Sequence, residues 1–286
     1  MRILVLGATG SIGSAVVPEL LRARHRVTGL ARSDAAARKI LENGAAVVSG
    51  DLRSPREWSK SVHEVDAVVH VAATFTDDMG EVDRRLVEEL LSQGAHSNRR
   101  LRFLYTGGVW LYGRTGEAVA TEDTPFNPIA CFAWMVRNGA AILGASCFSA
   151  NIVHPGLCYV RDGGAVSRLV PKDGRIEVWG SLDTRWPLVH ADDLAVAYRL
   201  VLERGQAGES YNVCAEPAVR VGDIAGAIAK RFGLQADPVV RPVQDVTAEH
   251  GDWAVGPTLD QQMSSAKIRR SLGWEPLHTD AVAELR

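Results

Sequence analysis

The chain opens on a continuous apolar run, Ile3-Leu4-Val5-Leu6, flanked by polar and small residues. Such a run is the pattern of a strand buried on both faces. Gly7, Gly10 and Gly13 follow at once, and Ile12, Val16, Val17, Leu20 and Leu21 then recur at helical spacing. The pattern predicts strand, glycine turn and helix, beginning at the third residue. Pro18 falls inside that helix, where it removes a backbone donor and bends the helix or costs stability. The alternation continues. Arg26–Ala31, Ala45–Leu52, Asp66–Ala73 and Leu101–Thr106 read as the second to fifth strands, and Val82–Leu91 as a helix with Leu86, Leu90 and Leu91 on one side. Strands alternating with helices predict right-handed crossovers and a parallel sheet.

From Asn151 the order is less regular. Asn151–Tyr159 reads as a strand ending in a turn, Arg175–Trp179 and Arg185–His190 as short strands, and Tyr211–Val213 as another. A helix follows His190 as far as Leu202, and Val221–Phe232 is a second; Asp192 and Asp193 suit the first turn of the former electrostatically. No Pro/Gly/Ser linker separates the halves. The predicted fold class is α/β. A doubly wound parallel sheet occupies residues 1–150, with parts of 185–215 returning to it. A smaller α/β lobe over 151–286 packs on it, with the substrate between them.

At 286 residues the chain can bury a large core, and 46% apolar with 23% charged residues is ordinary for a globular protein. A net charge of −2 gives no argument for nucleic acid or an anionic membrane, and no apolar run approaches bilayer length. The chain enters a strand at its third residue, so no secretory signal is expected. Cys131, Cys147, Cys158 and Cys214 form no Cys-x-x-Cys pair, from which we expect reduced thiols, a cytoplasmic location and no metal.

The glycine turn carries the first chemistry. Glycine lets backbone approach a ligand closely, and a helix N-terminus offers unpaired N–H groups and the positive end of its dipole. Between a buried strand and a helix, Gly7-x-x-Gly10-x-x-Gly13 therefore predicts a pyrophosphate cradle, with Thr9, Ser11 and Ile12 inside it. The second strand ends in Arg32-Ser33 and not in an acid. A carboxylate there would bind ribose hydroxyls and repel a 2′-phosphate; an arginine fork accepts one, which favours NADP(H) over NAD(H). Asp51-Leu52 supplies a polar edge and an apolar face for adenine, and the small Ala72 and Ala73 let a cofactor lie close. Ligands of such sheets sit beyond the carboxyl ends of the strands, which gathers these residues and Thr106 around one crevice. His70, inside a buried run, reads as a core residue.

Jointly, Gly7-Ala-Thr-Gly-Ser-Ile-Gly13, Gly50-Asp-Leu52, His70-Val-Ala-Ala73, Tyr112-Gly113, His154-Pro-Gly156, Arg185-Trp-Pro-Leu-Val-His-Ala-Asp-Asp193 and Leu272-Gly-Trp274 resemble the extended short-chain dehydrogenase/reductase family, which includes the NAD-dependent epimerase/dehydratase-like proteins. The similarity runs through nearly the whole chain. It implies a Rossmann domain with a bound nicotinamide dinucleotide and a C-terminal substrate lobe, with Ala72, Thr106 and Pro155-Gly156 near the nicotinamide. The family's chemistry uses a Tyr-x-x-x-Lys pair on one helix face. Here that helix reads Phe132-Ala-Trp-Met-Val-Arg-Asn-Gly139, so Trp134 stands at the tyrosine position and Asn138 at the lysine position. The hydroxyl position after the fifth strand is Gly107 or Gly108, and the asparagine often found on the preceding helix aligns loosely with Asp83. Trp cannot transfer a proton near neutral pH and Asn carries no charge.

The chain is thus expected to be an atypical member whose cofactor site survives without the usual acid/base set. The first reading is an NADP(H)-dependent oxidoreductase that reduces a small hydrophobic carbonyl, enone or imine, its proton coming from Thr106, Tyr112, His190 or water. Trp110, Trp134, Trp179 and Trp186 hint at a bulky, flat substrate. The alternative is a redox-silent NADP(H) binder, acting as a sensor, regulator, cyclase or isomerase. A sugar-nucleotide epimerase fits the lobe and fits the missing tyrosine badly. A homodimer through the Val82–Leu91 and Ala130–Leu143 helices is common in the family, and nothing in the chain demands it.

Overall fold

The computed structural model describes residues 1–97 and 99–286. In chain order the strands are β1 (Arg2–Leu6), β2 (Arg26–Ala31), β3 (Ala46–Ser49), β4 (Ala67–His70), β5 (Leu101–Thr106), β6 (Phe148–Pro155), β7 (Leu157–Val160), β8 (Gly163–Gly164), β9 (Glu177–Trp179), β10 (Arg185–His190), β11 (Ser210–Val213), β12 (Glu216–Arg220) and β13 (Val239–Arg241). The helices are α1 (Gly13–Arg22), α2 (Asp34–Glu42), α3 (Met79–Ala95), α4 (Trp134–Gly144), α5 (Ala191–Arg204), α6 (Val221–Arg231), α7 (Val243–His250), α8 (Ala266–Leu272) and α9 (Ala281–Glu284). They fall into two compact units. One comprises Met1–Gly107, Trp134–Val153 and Leu194–Tyr211; the other comprises Gly108–Ala133, His154–Asp193 and Asn212–Arg286. The chain passes between them several times, so the segment around Tyr112 belongs to the second unit.

The seven-stranded sheet has the order β11-β6-β5-β4-β1-β2-β3, and every pair from β3 across to β6 is parallel. Ile3 registers with Val27 on one side and Ala67 on the other, so β1 is central, as its apolar run requires. Leu4, Leu6, Leu86, Leu90, Phe103, Tyr105 and Phe148 fill the first unit's core. This is the doubly wound Rossmann-like α/β architecture. Pro18 sits within α1, between buried Val17 and buried Glu19. Its missing N–H removes one helical bond, which the burial of Val16, Val17 and Leu20 offsets.

The second unit holds a four-stranded sheet of order β12-β10-β7-β8 and a parallel pair, β13 with β9. Its core includes Tyr159, Val178, Trp186, Leu188, Ile224 and Ile228. The stretch expected as one strand, Asn151–Tyr159, is divided between two sheets. β6 belongs to the seven-stranded sheet and β7 to the four-stranded one, with Gly156 at the break. A Cβ at Gly156 would stand 2.6 Å from the Pro187 carbonyl oxygen, so glycine permits the close approach of β10. Among the described residues no helix is long and apolar enough to cross a membrane.

Candidate cofactor site and its surroundings

The glycine turn is built by close contact. Gly7 has φ +88°, and a Cβ there would stand 2.8 Å from Ala72 Cα. Gly10 N–H closes the turn onto the Gly7 carbonyl at 3.0 Å. A Cβ on Gly13 would overlap that same carbonyl oxygen and lie 2.9 Å from Ala8 Cα, so α1 starts pressed against the end of β1. No side chain caps α1 at Ile12. Gly10 and Ser11 are exposed and Thr9 and Ile12 half-buried, so the helix N-terminus faces solvent. The loop thus has the geometry of an anion cradle: backbone N–H groups, a dipole end and no Cβ in the way.

The neighbouring strand ends add to it. Arg32, just past β2, is exposed, and no hydrogen bond or ion pair engages it among the described residues. Ser33 caps α2, its Oγ accepting the Ala36 N–H at 3.3 Å. Asp51 lies beyond β3, where its carboxylate accepts the Arg53 N–H at 2.9 Å and its carbonyl accepts the Trp58 indole N–H at 2.9 Å. Leu52, Ala72, Ala73, Met79, Val82 and Trp134 line a narrow cleft in the same unit.

Behind the cleft lies a buried polar network that sequence reasoning did not assemble. Ala72 N–H donates to His70 Nδ1 at 3.3 Å, so the ring proton resides on Nε2 and is donated to Asp83 at 2.7 Å. Asp83 also accepts the Tyr105 hydroxyl at 2.6 Å and the Asn138 amide at 2.7 Å. Burial works to raise the Asp83 carboxyl, but His70, Tyr105 and Asn138 together outweigh it and hold the group below the usual carboxylate range. Burial, with Asp83 beside it, pushes the Tyr105 phenol well above its ordinary value. His70 is therefore a satisfied core residue, as its apolar surroundings predicted. Asn138, at the lysine position, spends its amide on Asp83 and not on a ligand. Trp134, at the tyrosine position, packs over Gly80, where a Cβ would meet its indole at 2.8 Å. The loose alignment of Asp83 was the one sequence signal for this set; the pairing across α3, β4, β5 and α4 was not legible.

Thr106, half-buried at the end of β5, donates to the His70 carbonyl at 2.7 Å and has its Oγ1 2.6 Å from the Tyr198 hydroxyl. Of the expected proton donors it is the one in the unit that carries the glycine turn. Tyr112 and His190 belong to the other unit. Tyr112 is buried and gives its hydroxyl proton to Asn212 Oδ1 at 2.7 Å, and burial raises its pKa above the ordinary value. Phe126 packs on its ring, 5.2 Å between centroids, so Tyr112 is part of the packing there. His190 is half-buried at the end of β10; its Nδ1 accepts the Asp192 N–H at 3.3 Å, and burial together with His278 lowers its pKa. The rings of His190 and His278 stack 3.9 Å apart, and Glu284 accepts from His278 at 3.0 Å. These three residues offer possible metal-ligand atoms within 4.8 Å of one another. Nearly parallel imidazoles direct their in-plane lone pairs side by side and not toward one point, so the trio as it stands is a stacked packing contact.

The remaining expected positions are also placed. Pro155 ends β6, and Gly156 N–H donates to the Val213 carbonyl at 2.8 Å. Trp110 packs on Gly256 and on Phe132, 5.4 Å between ring centroids. Trp186, expected near the substrate, is placed in packing. It is buried in the second unit's core with its indole N–H on the Pro257 carbonyl at 2.8 Å, which satisfies both its apolar body and its polar tip.

A family model described as the NAD dependent epimerase/dehydratase family matches residues 3–214. The chain is 30% identical to an uncharacterized protein of Saccharomyces cerevisiae, covering 100% of this chain and 98% of that one. It is 25% identical to an NAD(P)H azoreductase of Xenophilus azovorans, over 81% of this chain and 74% of the relative. The crystal structure of a UDP-glucuronic acid 4-epimerase from Bacillus cereus, in complex with UDP-glucuronic acid and NAD, superposes with a TM-score of 0.82 at 18% identity, covering 99% of this chain and 97% of that one. That likeness is one of fold.

Proposed function

Because the chain belongs to the NAD-dependent epimerase/dehydratase family, we propose that it is an NADP(H)-dependent reductase of a small hydrophobic carbonyl, enone or imine. The observation that carries this reading is the intact cradle: Gly7 held at positive φ against Ala72, Gly13 pressed onto Gly7, and an uncapped α1 N-terminus open to solvent. These residues fit a pyrophosphate, and the dinucleotide, when bound, supplies the hydride. Arg32, exposed at the end of β2 with no partner among the described residues, takes the 2′-phosphate, helped by the Ser33 hydroxyl. Asp51 and Leu52 hold the adenine edge and face, and Ala72 and Ala73 leave room for the rest.

The reduction needs one proton from the protein or solvent. Thr106 is our candidate to carry it: its hydroxyl leaves the His70 carbonyl, passes its proton to the developing oxyanion and is reprotonated by water, while the Tyr198 hydroxyl 2.6 Å away holds it in place. The loss of the family's tyrosine and lysine favours reduction over epimerisation, because epimerisation starts by oxidising a hydroxyl and needs that base. Substrates that ask little of a general acid, such as imines and activated enones, fit best. The NAD(P)H azoreductase among the relatives supports a reductive role.

The second reading, a redox-silent NADP(H) binder, is favoured by one observation: Asn138 and Trp134 are both built into packing and hydrogen bonds. The two separate on one experiment. A panel of ketones, enones and imines is mixed with protein and NADPH, and loss of NADPH absorbance is followed. The reductase reading expects turnover on at least one class, with Thr106→Val lowering kcat at least tenfold and leaving KM for NADPH unchanged. Tight NADPH binding with no class consumed would overturn it in favour of the redox-silent role.

A further inference from the structure

Outside the cradle, the second unit holds a cation that pairs with no anion among the described residues. Arg168 lies in the short turn Ala165–Leu169, and its guanidinium carbon stands 5.2 Å from the Trp179 ring centre and 5.3 Å from that of Trp253. Trp179 stacks in turn on His250, 4.7 Å between centroids and 20° from parallel. Arg168 as a whole is half-buried, but its Nε and Nη1 are closed off from solvent and donate to no group among the described residues. Burial pushes the guanidinium down to about 10, which still leaves it charged at neutral pH. Two indole faces return part of the lost hydration of a cation, but they do not accept the N–H protons. A buried donor without an acceptor is a group waiting for one.

We propose that Arg168, Trp179 and Trp253 form a binding site for a flat aromatic monoanion, its carboxylate on the Arg168 guanidinium and its ring against the indoles. The charges around the site argue for a monoanion over a nucleoside diphosphate. Arg241, the nearby second arginine, is already paired with Glu177 and Glu249, and Glu177 also accepts the Trp179 indole N–H at 2.6 Å. The site therefore offers one unmatched positive charge beside carboxylates that would repel further negative charge. Trp179, Trp253 and His250 are half-buried, so part of each ring is open to solvent at the margin of the cluster. The site lies wholly within the second unit, and the inference stands without the reductase reading.

The test uses the cofactor-free full chain and its tryptophan fluorescence, with three probes: trans-cinnamate, its neutral counterpart cinnamyl alcohol, and UDP. The expected result is saturable quenching by cinnamate, at least tenfold weaker binding of the alcohol and of UDP, and a rise in melting temperature with cinnamate. Arg168→Gln should lose cinnamate binding at least tenfold and melt no lower than the parent, because an unpaired buried cation has been removed; Arg168→Lys should retain part of the affinity. Equal binding of acid and alcohol, tighter binding of UDP, or unchanged cinnamate affinity in Arg168→Gln would overturn the proposal. If Arg168→Gln fails to fold, the comparison of acid with alcohol on the parent decides alone. Because no cofactor is present, a negative result leaves the NADPH reading intact, and failure of NADPH binding leaves this one intact.

Discussion

Gly13→Ala and Gly10→Ala together separate the two reasons a glycine can stand in this turn. At Gly13 a Cβ would overlap the Gly7 carbonyl oxygen, with the Gly7 carbonyl carbon at 2.8 Å and Ala8 Cα at 2.9 Å. All three are backbone atoms at the end of a central strand, so none can swing aside. Overpacking a tight site typically costs about 1–3 kcal/mol, and this one belongs at or above the upper end. At roughly 2–4 °C per kcal/mol for a chain of this size class, Gly13→Ala should melt about 6–12 °C lower. At Gly10 a Cβ would meet only the Gly7 oxygen at 3.3 Å, so alanine fits with a small adjustment. Its stability cost is under about 1 kcal/mol, and the smaller entropy of the unfolded alanine chain offsets part of that. Gly10 faces solvent where the pyrophosphate is proposed to lie, so Gly10→Ala should weaken NADPH binding at least about tenfold, or 1.4 kcal/mol. Calorimetry gives the melting temperatures and fluorescence titration the affinities. A Gly13→Ala protein of parental stability would refute the packing argument. A Gly10→Ala protein of parental affinity would refute the ligand argument.

Arg32→Ala should weaken NADPH binding about tenfold or more and leave NADH binding unchanged; equal loss of both would exclude a 2′-phosphate role. Asp83→Leu strands three buried donors, on His70, Tyr105 and Asn138, and should cost roughly 3–5 kcal/mol, measurable by urea unfolding; a cost below about 1 kcal/mol would mean the network relaxes freely. His154 is fully buried, and burial, then Lys267, lowers its pKa from 6.5 to about 4. The unfolded chain therefore binds a proton that the folded one refuses between those values, so His154's stabilising effect is complete above pH 6.5 and falls as pH is lowered toward about 4, by about 3 kcal/mol in all. His154→Phe should flatten the pH dependence of unfolding in that window, and an unchanged slope would place the proton uptake elsewhere.

The first unit was legible in the sequence because its signals are local. Ile3–Leu6 had to be a buried strand, and Gly7, Gly10 and Gly13 follow it at a spacing that few arrangements other than a strand–turn–helix cradle use. Sequence reading went wrong where the deciding contact is distant. An apolar run from Asn151 to Tyr159 carries no mark of the change of sheet at Gly156, because that change depends on where Pro187 lies. His70, Asp83, Tyr105 and Asn138 come from four elements, and only folding makes them one network. Nothing in the neighbours of Arg168 along the chain marks the two indoles that lie against it. Aromatic content alone does not separate a ligand-facing tryptophan from a core one, and the burial of Trp186 becomes visible only in the fold.

The central claim is that the glycine turn and Arg32 hold a phosphorylated nicotinamide dinucleotide. The most direct test is titration of the purified protein with NADPH, NADP, NADH and NAD, following nicotinamide and tryptophan fluorescence. The account predicts saturable binding of NADPH and NADP, at least tenfold tighter than that of NADH and NAD. Binding of none of the four would contradict the cradle itself, and preference for the unphosphorylated pair would contradict the role given to Arg32.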